Sequence, residues 1–106
     1  MLFFLLGVFN YLGIETSVNN EKAFGLYQIA ANLGNVLGIS ELGFCYQNGI
    51  GTNINKKKAF KLYQKAANLE NASGKYNLGY CYENGIGTSI DNQKAFELYQ
   101  KAVNLG

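Results

Sequence analysis

No proline, no histidine and no arginine occur in this sequence, and each absence closes off a class of function. Without proline there is no rigid linker or disordered proline-rich arm. Without histidine the usual general base near neutral pH and the commonest metal ligand are missing. Without arginine the bidentate fork that reads phosphates and base edges is missing too. All nine cations are lysines, set against seven acids, for a net charge of only +2. These counts predict no nucleic-acid partner, no metal, no cofactor and no enzyme activity. Long apolar runs are also lacking. The longest opens the chain at Met1–Phe9, far short of the roughly 20 residues a membrane span needs. It has neither the basic flank nor the small-residue cleavage site of a signal peptide.

What is present is repetition. Residues 33–68 laid over 69–104 at an offset of 36 give 22 identities without a gap. A second shift of 36 brings EKAFGLYQIAANLG (21–34) onto KKAFKLYQKAANLE (57–70). Leu6-Gly7 then falls on Leu42-Gly43 and Leu78-Gly79, and Gly13-Ile14 on Gly49-Ile50 and Gly85-Ile86. The whole chain, 1–106, reads as one domain of three units, 1–34, 35–70 and 71–106. The opening apolar stretch is in register with two later segments, so it is expected to be the first helix of unit one.

Each unit reads as a helical hairpin. Gly38, Leu42, Cys45 and Tyr46 lie on one face of the first helix, helix A, and recur in unit three. Residues 37, 41, 44 and 48 form a second stripe, turned away from the first, and all of them but Asn48 change between units two and three. Gly49-Ile50-Gly51-Thr52 supplies the backbone freedom that closes helix A and reverses the chain. Asn19, Asn55 and Asp91 occupy one slot and are good N-cap residues for helix B. Ala59, Leu62, Tyr63 and Ala66 make the apolar stripe of helix B, with Phe60 beside it. Gly43 and Gly79, inside helix A, predict a close helix crossing, because a mid-helix glycine otherwise costs about 1 kcal/mol relative to alanine.

These residues resemble the Sel-1-like repeat, a relative of the tetratricopeptide repeat. In unit three the matching residues are Ala72, Leu78-Gly79, Tyr82, Gly85, Gly87, Asp91, Lys94-Ala95, Tyr99 and Lys101-Ala102. Unit two matches with Asn55 for the Asp, Leu62 where Trp is frequent and Thr52 for Val. Unit one departs, with Phe3, Phe4 and Leu5 at positions polar or mixed elsewhere and Glu15 for the second Gly. The resemblance implies an all-α fold, a right-handed α-solenoid with helix A of each unit on the concave surface. It also implies a scaffold or adaptor for protein complexes, in degradation or signalling. Secreted bacterial relatives place disulfide cysteines near Ala67 and Lys75, which this chain lacks. That favours a reducing, cytoplasmic location, with an ER-associated or secreted one as the alternative if Met1–Phe9 acts as a signal.

Cys45 and Cys81 occupy one slot in adjacent units. Stacked repeats hold such slots about 10 Å apart, beyond the roughly 7 Å reach of a disulfide, so two free buried thiols are expected. Gly-Ile-Gly-Thr lacks the spacing and lysine of a phosphate loop. Lys56, Lys57 and Lys58 read as a solvated corner, and Asn71-Ala72-Ser73 as an accidental glycosylation sequon.

The candidate function is therefore binding of a protein partner through the varied face of helix A. The candidate residues are Ser40, Glu41, Phe44, Gln47 and Asn48, with Tyr76, Asn77, Tyr80, Glu83 and Asn84. The aromatics would serve as anchors. Alternatives are an architectural piece of a longer solenoid, self-association through Phe3, Phe4 and Leu5, and a hydrolase-like activity disfavoured by the missing histidine.

Overall fold

The first glycine of each hairpin turn behaves as the pattern requires. Gly49 and Gly85 close their helices in the left-handed conformation, with φ of 70° and 67°. Behind them the amides of Ile50 and Ile86 donate to the carbonyls of Cys45 and Cys81, at 3.0 and 2.9 Å. The loop is then tied down when the amides of Asn55 and Asp91 reach back to the carbonyls of Tyr46 and Tyr82, both at 2.8 Å. Helix B starts directly after this tie. Asn19, Asn55 and Asp91 each accept from the amide three residues on, at 2.9, 3.1 and 3.0 Å.

The computed structural model describes residues 1–12 and 19–105, and among these every regular element is a helix. In chain order they are α1 (Leu2–Leu12), α2 (Asn20–Asn32), α3 (Val36–Asn48), α4 (Lys56–Asn68), α5 (Ala72–Asn84) and α6 (Asn92–Leu105). Each packs chiefly on its neighbours in the chain, as three hairpins in file. The resulting body measures 42 × 26 × 21 Å, elongated as a stack of repeats is and a single round core is not. This is an all-α solenoid. The turn of unit one, with Gly13, Ile14 and Glu15, lies outside the described residues.

The opening stretch is part of the stack. Phe4 sets its ring 6.0 Å from that of Tyr27, and Phe4, Val8 and Tyr11 pack against the core. Of the three residues expected to face outward, Phe4 is therefore turned in, while Phe3 and Leu5 stay 37% and 42% exposed.

The glycines inside helix A answer to the tyrosines of helix B. A Cβ on Gly7, Gly43 or Gly79 would stand 2.7, 2.8 or 2.9 Å from Cε1 of Tyr27, Tyr63 or Tyr99. Units join through a second set of close approaches. A Cβ on Gly38 would meet Ala30 Cβ at 2.7 Å, and one on Gly74 would meet Ala67 N at the same distance. Phe24 and Phe60 make T-shaped pairs with Tyr46 and Tyr82 of the next unit, with ring centroids 5.4 and 5.5 Å apart. Such T-shaped pairs add about 0.5–1.5 kcal/mol beyond area burial.

Candidate functional site

Helix A carries its packing glycines and cysteines on one side, so its other side is left to solvent. Phe44 and Tyr80 stand at equivalent positions of α3 and α5 and are equally exposed, at 40% and 41%. Between the two helices runs a shallow groove of about 280 Å³ lined by Phe44, Gln47, Asn48, Tyr76, Asn77 and Tyr80. The structure thus gathers six of the ten candidate residues around one depression. Asn48 and Asn84 each give a side-chain N–H to their own helix, to the carbonyls of Phe44 and Tyr80 at 3.1 and 3.0 Å.

Gln47 and Glu83 have a structural task that the residue pattern did not reveal. The Tyr63 hydroxyl donates to Gln47 Oε1 at 2.7 Å, and the Tyr99 hydroxyl donates to Glu83 Oε1 at 2.5 Å. Both tyrosines stay protonated, their hydroxyls raised above the ordinary value by burial first. The signal that could have located these bonds is a fixed separation of 16 residues with an acceptor at one end in both units.

Glu41 is half-buried on α3, and burial raises its carboxyl above the ordinary range. Its charge acts on Tyr27, Cys45 and Tyr63. Ser40 lies elsewhere than a partner-facing stripe requires: it is 5% exposed and its Oγ has no hydrogen-bond partner. The reason is its place in the middle of the stack, where units on both sides enclose it. At the equivalent position Tyr76 is 55% exposed.

Other motifs resolve into packing. Cys45 and Cys81 are free, and exposed by 1% and 0%. Burial pushes their thiols up to about 12 and about 11, away from the reactive thiolate. The second glycine of the turn is pressed against the preceding unit, with Gly51 facing the Asn20 carbonyl and Phe24. No phosphate can enter a cradle already filled by protein. Lys58 and Lys94 hold their ammonium groups 5.0 and 5.2 Å above the rings of Tyr46 and Tyr82. That contact distinguishes Lys58 from Lys56 and Lys57, which become Asn92 and Gln93 in unit three. Asn71 of the sequon caps α5, accepting from Gly74 N at 2.7 Å. Among the described residues no group of three potential ligands is placed to hold a metal ion. No helix among them is long and apolar enough to cross a membrane.

Three hairpins with one register of caps, glycines and tyrosines meet three matches to the Sel1 repeat, at residues 4–35, 37–71 and 72–106. The chain belongs to the Sel1 repeat family. Sel1 repeats form a non-catalytic scaffold type and generally mediate protein–protein interaction. Among solved structures, a Sel1 repeat protein from Oxalobacter formigenes superposes with a TM-score of 0.88 at 32% identity. The match covers 98% of this chain and 43% of that one. The protective antigen c5321 of uropathogenic Escherichia coli, which displays an SLR fold, gives 0.92 at 29% identity, covering 98% and 22%. Cysteine-rich protein B of Helicobacter pylori gives 0.79 at 27% identity, covering 99% and 84%. The chain thus spans less than half the length of the first two relatives. No curated protein sequence matches it.

Proposed function

We propose that this Sel1 repeat domain is a non-catalytic adaptor that binds a protein partner through the open face of α3 and α5. The observation that supports this most is the groove between them, lined by the aromatics Phe44, Tyr76 and Tyr80 and the amides Gln47, Asn48 and Asn77. Exposed aromatics beside hydrogen-bonding amides are the composition of an interface hot spot. The lysines lie elsewhere. Eight of the nine are on α2, α4 and α6, and Lys75 on α5 is 3.8 Å from Glu70. The open face is thereby left with Glu41 and Glu83 as its charges, a setting that suits a neutral or basic segment better than an acidic one. Affinity capture followed by mass spectrometry tests the reading. Tyr76→Ala with Tyr80→Ala should remove the captured partner, whereas Lys57→Ala with Lys61→Ala should not. The opposite pattern would move the interface to the helix B side.

Exposed Leu2, Phe3 and Leu5 on α1, with Met1 just before it, favour a second reading, self-association through that helix. Light scattering across a concentration series decides it: a strict monomer removes self-association and leaves the partner reading intact.

A further inference from the structure

One unit before the groove of α3 and α5, the same positions carry different chemistry. A shift back by 36 residues puts Val8 and Tyr11 of α1 in the places of Phe44 and Gln47. It puts Glu41 and Phe44 of α3 in the places of Asn77 and Tyr80. Val8, Tyr11 and Glu41 are half-buried, and Phe44 is 40% exposed, so this strip reaches solvent. In units two and three the helix B tyrosine gives its hydrogen bond to Gln47 or Glu83, but unit one has Tyr11 in that place. Tyr27 is 2% exposed, and among the described residues its hydroxyl has no hydrogen-bond partner. Tyr11 and Glu41 both lie close enough to act on that hydroxyl electrostatically. Glu41 itself has no ion pair and no hydrogen bond among the described residues. The spot therefore gathers carboxylate and phenolic oxygens with no cation among them.

We propose that this spot, between α1 and α3, seats one arginine side chain of the protein partner, its guanidinium paired with Glu41. The inference rests on the partner reading above and gives that partner a chemistry. Charge complementarity names the occupant, since a half-buried carboxylate without a partner is costly and a cation relieves the cost. A guanidinium carries five N–H donors in a planar fork, so it can pair with both carboxylate oxygens and still donate to a phenolic oxygen. It is weakly hydrated and stacks on aromatic faces, and Phe44 stands one turn from Glu41 on the same stripe. A lysine ammonium is a strongly hydrated point charge and loses more on entering such a place. The 106 residues contain no arginine, so a second copy of them does not supply the occupant. Asn77 is neutral at the position equivalent to Glu41, and Glu83 is engaged by Tyr99. The partner segment is thus oriented, with its arginine over α1 and α3 and its uncharged part in the groove of α3 and α5. Phe44 borders both.

The test titrates the isotope-labelled full chain with Nα-acetyl-arginine amide, and in parallel with its lysine and citrulline counterparts. Citrulline keeps the shape of arginine and removes its charge. The arginine probe should shift the side-chain carboxyl carbon of Glu41 and the ring signals of Tyr27 and Phe44, and the shifts should saturate. The citrulline probe should bind at least tenfold more weakly, and the lysine probe at least threefold more weakly. Arginine binding should weaken at least fourfold from pH 8 to pH 4. The groups around Glu41 are Tyr11 on α1, Tyr27 on α2, Cys45 on α3 and Tyr63 on α4, so Glu41 is the one carboxyl among them. Glu41→Gln should abolish both the preference for arginine over citrulline and the pH dependence, without lowering the thermal midpoint. Glu41→Asp should restore part of the preference. Shifts that stay linear, equal binding of the arginine probe and either counterpart, or undiminished binding to Glu41→Gln would overturn the seat. Affinity capture separates this inference from the reading it rests on. A partner lost by Tyr76→Ala with Tyr80→Ala but held undiminished by Glu41→Gln would overturn the seat and keep the α3–α5 face. Arginine binding at Glu41 with capture indifferent to the tyrosine pair would keep the seat and overturn that face.

Discussion

The ring of Tyr63 lies directly against the backbone of Gly43, so that a Cβ there would stand 2.8 Å from Tyr63 Cε1. Tyr63 is 1% exposed and its hydroxyl is held by Gln47, so the ring has no free direction in which to retreat. Gly43→Leu must therefore displace a buried tyrosine or separate α3 from α4. The expected loss of stability is about 1–3 kcal/mol from overpacking, read from chemical denaturation. Gly25, with nothing within 4 Å of its added Cβ, is the control in a similar mid-helix setting. Gly25→Ala should stabilise by up to about 1 kcal/mol through helix propensity alone.

Positive φ and close approach can be separated at three turns. Gly34, at φ +82°, has open space where a Cβ would go, while Gly51, at φ +72°, faces the Asn20 carbonyl and Phe24 Cβ. Gly34→Ala should cost only the left-handed strain, about 1–2 kcal/mol. Gly51→Ala should cost more, because the junction between units one and two must also open. Glu70 stands at the position equivalent to Gly34 and carries the strain already, at φ 57°. Glu70→Gly should stabilise by about 0.5–1 kcal/mol, the relief of strain being partly offset by the greater freedom of glycine in the unfolded chain. Its 3.8 Å contact with Lys75 is long and open to solvent on the Glu70 side, and contributes little against that.

The period, the hairpin turns and the helix B caps were legible in the sequence because each is local: a glycine, an Asn or Asp, and the helix that follows. Burial along the stack was not, because it depends on how many units lie on either side. Ser40 and Tyr76 share a position, yet one is 5% and the other 55% exposed. Variation between them looked like a variable surface, although in unit two it is a change inside the packed layer. The helix A caps were also missed. Asn35 and Asn71 accept from Gly38 and Gly74 at 2.8 and 2.7 Å, so the glycines of the inter-unit contact double as cap donors. In a chain with 14 asparagines, nothing local marks those two.

The two thiols should be inert in the folded protein. Cys45 and Cys81 are buried, and protonated well past neutral pH, with values of about 12 and about 11. A disulfide reagent at pH 8 should react with both only after urea unfolding, at a rate at least 100-fold faster than in the native state. Rapid labelling of either thiol without denaturant would show that α3 or α5 opens locally.

Glu41 sets the pH dependence that can be assigned to one residue. Burial raises its folded-state value above the ordinary 4.5, so the folded chain keeps a proton that the unfolded chain has already released. Between those two values the native state binds more protons, and stability falls as pH rises. Above the raised folded-state value the full penalty of an ionised carboxylate among Tyr27, Cys45 and Tyr63 is present; below pH 4 it is absent. Glu41→Gln removes the titration and keeps the shape. The variant should be more stable than the parent at pH 7, and the difference should vanish as pH falls below about 4. Thermal midpoints across that range check both halves of the expectation. A difference that persists at low pH would show that the amide acts through new hydrogen bonds and not through loss of the charge.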